Sequence, residues 1–363
     1  MPTRSALRLL ALSIALAGLS AGCTSPQPIG LISNDEGRMV TAFDPNTSTV
    51  YGAVRIPAGG ERDVYALALH PSGREAYVSD RFGRITRALL TAERPPAPRS
   101  GIYPSHEASD LAILDADRPM LVAIGTDTAS TVGVASTIDL STGAEIDRLR
   151  FEEDRLHSIS VCDDQQTVLV GTDMPHAVQK LTVDTRGTIT HTGLAASTRH
   201  PVATVHCAPR SQTAVVVSST GAVIQSIDLR TMATVATRPL AAQSADPIGP
   251  PLGLSGVFTA AGHRFLARSE RGDFTGVGFI ESFRYDPVSG HLGRRLRRTR
   301  IAPTATSSRG TSEIAISPDG RRLYVPLPGP DEVRVLDAAS LSFITTLGGP
   351  DFDGPFSVVI GGQ

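Results

Sequence analysis

Lysine is almost missing from this chain of 363 residues: Lys180 stands alone beside 33 arginines among the 34 basic residues. Schiff-base chemistry through a lysine amine is therefore an unattractive basis for function. A dominant charge of one sign is missing too. With a net charge of −2 and a pI near 6.5, the chain has no global basic field for a phosphodiester backbone, and no nucleic-acid partner is expected. Signature motifs are absent: there is no GxSxG elbow, HExxH pair, CxxC or P-loop, and "GVGFIE" fails the dinucleotide fingerprint at its last position. The longest apolar run, Leu9 to Leu19, is too short to span a bilayer.

What is present is repetition. The stretch "SEIAISPDGRRLYVPLPGPDEVRVLDAASLSFITTL", from Ser312 to Leu347, reads as four short strands punctuated by turn residues. Its turn-and-strand portion aligns without gaps with "HPSGREAYV" from His70, "LDADRPMLV" from Leu114, "CDDQQTVLV" from Cys162, "CAPRSQTAV" from Cys207 and "TAAGHRFLA" from Thr259. Counting on to Ser317, the starts are separated by 44, 48, 45, 52 and 58 residues, the period of propeller blades rather than of helical solenoids.

A seventh unit is split between the two ends. "GLISNDEGRMVTAFD", Gly30 to Asp44, matches the second and third strands of the repeat, and the missing first strand appears as "PFSVVIGG", Pro355 to Gly362. The expected fold is all-β, a seven-bladed propeller of four-stranded antiparallel blades over residues 29–363, closed by the C-terminal strand pairing in blade 1. Asp44, Asp139, Asp184, Asp228, Asp286 and Asp337 follow the third strand in six of the blades, where a tight hairpin calls for a side-chain acceptor.

"SPDGRRLYV", "HPSGREAYV" and "RVLDAAS" resemble the YVTN-repeat β-propeller family. The resemblance covers the chain after residue 28, with close matches in blades two and seven. Propellers of this kind include binding proteins and, in a related branch, sugar-lactone hydrolases, and "FRYDPVSGHL", Phe283 to Leu292, is similar to that branch. Quinone-dependent propeller enzymes use tryptophan as a platform; this chain has no Trp, and no cofactor is expected.

The amino terminus supplies an address. Arg4 and Arg8 flank the start of the Leu9–Leu19 run and small residues follow, the pattern of a signal peptide over residues 1–22. "LSAGC" resembles a bacterial lipobox with Cys23 as the lipidated residue, although Ser20 stands where leucine is usual. Residues 23–28 then form a short tether, and Thr24 after the cysteine fits sorting to the outer membrane, facing the periplasm, of a Gram-negative envelope. Membrane contact is expected through that lipid alone, on a monomer.

Removing Cys23 leaves Cys162 and Cys207, at the same repeat position in blades four and five. A disulfide between adjacent inner strands is one reading. Ring symmetry favours the other, two buried thiols in a small-residue site shared with Thr259 and Ser317, because equivalent side chains point the same way around a ring.

The turns joining strands one to two and three to four are short, so they share one face, while longer irregular loops such as "TAERPPAPRSGIYPSHEAS" and "RRTRIAPTATSSRGTS" occupy the other. Binding residues usually live on long loops over a rigid scaffold. The candidates on that face are Arg81, His106, Glu107, His157, His176, His200, Glu270, Arg271 and Arg309, with Asp63, Asp173 and Asp273 nearby. His106, His157 and His200 recur in three consecutive blades, which raises a metal or pH-sensitive cluster as an idea; no metal site is assigned. The expectation is a cell-envelope binding or scaffolding module, taking an envelope protein or small molecule at the loop face, with a hydrolase of a lactone or sugar-derived ester as the alternative.

Overall fold

The computed structural model describes residues 28–361 apart from 35–36, 57–63, 81–82, 92–93, 103, 105, 116, 128, 131, 152–154, 241–250, 272–277 and 302–312. The predicted signal peptide, Cys23 and all of the tether except Pro28 therefore lie outside the described residues.

Seven four-stranded antiparallel sheets form the molecule. Blade 1 contains β1 (Gly30–Asn34), β2 (Met39–Asp44) and β3 (Thr49–Arg55); blade 2 contains β4 (Val64–Leu69), β5 (Glu75–Asp80), β6 (Ile85–Thr91) and β7 (Arg94–Ile102). Blade 3 is β8 (Glu107–Leu114), β9 (Met120–Thr126), β10 (Gly133–Asp139) and β11 (Glu145–Phe151); blade 4 is β12 (Leu156–Val161), β13 (Thr167–Thr172), β14 (Ala177–Val183) and β15 (Ile189–Ser197). Blade 5 has β16 (Val202–Cys207), β17 (Thr213–Ser218), β18 (Val223–Asp228) and β19 (Thr234–Pro239). Blade 6 has β20 (Pro251–Phe258), β21 (Arg264–Arg271), β22 (Gly278–Tyr285) and β23 (Leu292–Ile301). Blade 7 comprises β24 (Ala315–Ile316), β25 (Arg322–Leu327), β26 (Glu332–Asp337) and β27 (Phe343–Gly348), and the last strand, β28 (Pro355–Ile360), returns to blade 1.

The inner strands touch in a closed cycle, β4, β8, β12, β16, β20, β24, β28 and back to β4. At the seam β28 pairs with β1, with Ile360 opposite Gly30 and Val358 opposite Ile32. Ring closure confines the inner sheet edges to short strands packed around the axis, which protects the fold against edge-to-edge association.

Burial follows from stacking the blades face to face. A middle strand is covered on both sides, so "TVLVGT" of β13 and "TAVVVS" of β17 are buried throughout and read as continuous apolar runs. Outer strands meet water, and "TVATRP" of β19 has no buried residue. The apolar clusters lie between blades rather than within them: Phe43 and Ile32 of blade 1 pack with Tyr324 and Val333 of blade 7. The Phe43 and Tyr324 rings sit 4.8 Å apart, and each such buried aromatic contributes roughly 1.5–3 kcal/mol relative to exposure.

All six hairpin aspartates accept a main-chain N–H from two residues on: Asp44 from Asn46, Asp139 from Ser141, Asp184 from Arg186, Asp228 from Arg230, Asp286 from Val288 and Asp337 from Ala339. These bonds fix the short turns of one face.

Two expectations are corrected. Part of the long "TAERPPAPRSGIYPSHEAS" segment is not loop but β7, the outermost strand of blade 2. Proline lacks a ladder donor and is tolerated at a sheet edge, so a proline-rich strand fits there and nowhere further in. Cys162 and Cys207 are joined in a disulfide, with Cα atoms 5.2 Å apart, rather than standing as separate thiols. Rotation relates the two backbones but leaves each side chain its own χ1, and near the axis β12 and β16 run close enough for Cys207 N–H to reach Ser160 Oγ at 3.0 Å.

Candidate functional site

The loops between second and third strands, and those between blades, lie on the face opposite the hairpin aspartates. Of the residues expected there, Arg81, Arg309, Asp63 and Asp273 are outside the described residues, and Arg271 is placed only by its backbone, paired with Pro251 at the end of β21. The rest separate into distinct environments.

His106 is 3 % exposed. It packs under the blade 2 loop, where a Cβ on Gly83 would fall 2.2 Å from its carbonyl oxygen. Burial pushes its imidazole down to about 4, so it is neutral at physiological pH. Glu107 is half-buried at the start of β8, and its carbonyl approaches Gly125 so closely that no side chain fits there.

His157, His176 and His200 form one polar line across blades 4 and 5. His157 Nε2 lies 3.3 Å from Asp173 Oδ2, with both side chains partly open to water. His176 Nδ1 bonds the Asp173 carbonyl. Thr198 then bridges onward: its N–H donates to His176 O at 2.9 Å and its hydroxyl to His200 O at 2.8 Å. The His200 ring rests on Gly221, at positive φ, where an added Cβ would meet Nε2 at 2.6 Å. Arg199, exposed, precedes His200. When His157 donates through Nε2 to Asp173, its Nδ1 is left as a proton acceptor oriented by a carboxylate, the arrangement general-base catalysis uses.

Asp110 lies in β8, the inner strand of blade 3. Its Oδ2 accepts Ile159 N–H at 2.9 Å and its Oδ1 accepts Leu111 N–H at 2.8 Å, so it links the inner strands of blades 3 and 4. Glu313, just before β24, accepts Ser357 Oγ–H at 2.8 Å. Counting back four residues from Leu114 and from Ser317 puts Asp110 and Glu313 at the same repeat position. Burial pushes the Asp110 carboxyl well above the usual range, and the Glu313 charge pushes it further; burial raises Glu313 as well. Burial thus keeps each carboxyl protonated to a higher pH than a free acid.

Glu270 is buried and pairs with Arg268 at 2.8 Å, both on the face of β21 that meets blade 7. Arg268, fully buried, also donates to Pro326 O at 2.6 Å. Among the described residues, no three His, Cys, Asp or Glu side chains converge as metal ligands.

Sequence reasoning overlooked Asp110, Glu313 and Arg268. A signal existed for each: a charged residue where the other blades carry Ala or Ser at the same inner-strand position, and an arginine at the centre of a second strand, two residues from Leu266 and two from Glu270.

No family model and no curated protein matches the chain. Solved structures do. A functionally unknown protein from Desulfotomaculum acetoxidans superposes with a TM-score of 0.76 at 14% identity, covering 92% of this chain and 98% of that one. The periplasmic gluconolactonase of Pseudomonas aeruginosa gives 0.68 at 15% identity, covering 92% and 99%. A Bacteroides fragilis protein whose name carries the provisional assignment 6-phosphogluconolactonase gives 0.69 at 12% identity, covering 93% and 99%. Likenesses at such identities establish the propeller fold alone.

Proposed function

We propose that the protein is a hydrolase of sugar-derived lactones working at the loop face. The observation that carries this reading is the His157–Asp173 pair at the channel rim, 3.3 Å apart and open to solvent. The likeness to propellers named as lactonases supports it. A binding or scaffolding module would explain a loop-rich face, but it gives no reason for an imidazole oriented by a carboxylate.

The chemistry needs three services. His157 takes a proton from water, whose oxygen attacks the lactone carbonyl. A cation stabilises the oxyanion, and exposed Arg199, next to His200 in the sequence, is the candidate for that task. The ring C–O bond then breaks, and the leaving oxygen receives the proton that His157 took from water, giving the open hydroxy acid. Asp173 holds the imidazole orientation and stabilises its cationic form.

The test is hydrolysis of glucono-δ-lactone and its 6-phosphate, measured against the spontaneous rate. Wild type should exceed it, and His157→Gln should lower kcat/KM by about 10² or more, with an unchanged melting curve. Hydrolysis no faster than buffer for either lactone overturns the proposal.

We further propose that the protein is exported by residues 1–22 and held in the cell envelope, on its periplasmic side, by lipid on Cys23. Labelled fatty acid should enter wild type and not Cys23→Ala; no uptake by wild type removes the anchor.

A further inference from the structure

The short-turn face of blade 6 carries a cavity that the lactone reading does not use. It encloses about 750 Å³ and is lined by His263 from the β20–β21 turn, Arg284 at the end of β22, Asp286, Ser289 and His291 of the β22–β23 turn, and Arg294 on β23. We infer that this cavity is a binding site for a phosphate ester.

Its charge is predominantly basic. Several arginines of this protein pair with carboxylates, among them Arg268 with Glu270, Arg295 with Glu281, Arg150 with Asp127 and Arg334 with Glu332. Arg284, Arg294, His263 and His291 close no side-chain hydrogen bond or ion pair among the described residues, and all four are exposed. The one carboxylate in the lining is already engaged. Asp286 accepts Val288 N–H at 3.0 Å and Ser289 Oγ–H at 2.6 Å, and those bonds hold its carboxyl below the usual range. The cavity thus gathers two planar guanidinium forks and two imidazoles against a single carboxylate, Asp286, which also feels the Arg284 charge. A phosphate suits it, because guanidinium forks bind its oxygens in bidentate fashion and imidazoles add donors.

Position separates this site from the loop face. It lies on the side where the described chain begins, since Gly361 N–H donates to Ile29 O at 3.1 Å beside Leu69, which leads into the short β4–β5 turn. A phosphate ester reaching it is either a small solute or the headgroup of a lipid.

The experiment uses the full chain carrying Cys23→Ala, so that no acyl chain drives membrane binding. Calorimetric titration with glycerol 3-phosphate should show saturable binding, weakened at least ten-fold in Arg284→Ala/Arg294→Ala while melting temperature and lactone hydrolysis stay unchanged. In a second arm, vesicles of phosphatidylglycerol and of phosphatidylcholine are compared by flotation. Binding to the first, displaced by glycerol 3-phosphate, assigns the site to headgroups; binding of glycerol 3-phosphate without flotation assigns it to soluble esters. Binding that survives unchanged in the double variant, or wild type that binds neither probe, overturns the inference. Because hydrolysis is read separately, failure here leaves the lactonase proposal standing, and the reverse holds.

Discussion

Ser357 Oγ–H donates to Glu313 Oε2 over 2.8 Å, so the last strand of the chain is tied to the inner strand of blade 7 by a carboxyl inside the channel wall. That carboxyl, and Asp110 at the same position of blade 3, both hold their protons more tightly than free carboxylic acids. The folded state therefore binds more protons than the unfolded chain between about pH 4 and the raised values. Stability from this source is fully present below about pH 4 and is lost as pH rises through the folded values. Glu313→Gln keeps the acceptor for Ser357 and removes the charge. Its melting temperature should exceed that of wild type at pH 8 and converge with it near pH 4. A difference that does not change with pH would show that Glu313 does not hold its proton more tightly in the folded chain.

The seam itself is a second target. β28 supplies the inner strand of blade 1, and Ser357 N–H also bonds Ser33 Oγ at 3.0 Å across the pair. Deleting residues 355–363 exposes β1 and the flanks of β4 and β24 together. We expect loss of the cooperative unfolding transition in circular dichroism, and a melting curve like that of the intact chain would contradict the closed ring.

The disulfide ties blades 4 and 5 across a separation of 45 residues. Closing a loop of that size removes unfolded-state freedom worth about 3–4 kcal/mol. Cys162→Ser/Cys207→Ser should be destabilised by about that much in urea titration. Thiol labelling of denatured, unreduced wild type should find neither cysteine free; two labelled thiols would reject the bridge.

The ring was legible because its evidence is repetitive. Asp337 and its five counterparts occupy one turn position in blade after blade, and each performs the same hydrogen-bonding task, so an error at one blade is corrected by the others. The functional side chains are singular and have no such redundancy. His157 and Asp173 are sixteen positions apart in the sequence and meet only because β12 and β13 pair with Leu156 opposite Thr172. His106 and His157 looked alike in the repeat, yet one is sealed beneath Gly83 and the other stands at the rim; the loops that separate them have no common pattern. The cysteines fall between these cases, since repetition gave their equivalence while side-chain rotation, which no repeat encodes, decided their pairing.

Arg268 and Glu270 allow a last prediction. Both are sealed between blades 6 and 7, with side chains 0% and 5% exposed. An isolated buried charge is far more costly than a buried pair, and removing one partner typically costs about 3–5 kcal/mol, whereas replacing both with apolar residues can be nearly neutral. Glu270→Leu removes the carboxylate that Arg268 pairs with at 2.8 Å, so it should be severely destabilised. Arg268→Met in the same chain removes the buried cation and its methionine fills the stem's volume, so the double variant should recover most of the loss. If Glu270 instead serves the reaction, the double variant will be stable but inactive on the lactone. Urea midpoints and lactone turnover, measured on the single and double variants together, separate the roles: restored stability with restored turnover makes the pair a packing element, and a double variant no more stable than Glu270→Leu would show that Arg268 is held by neighbours other than Glu270.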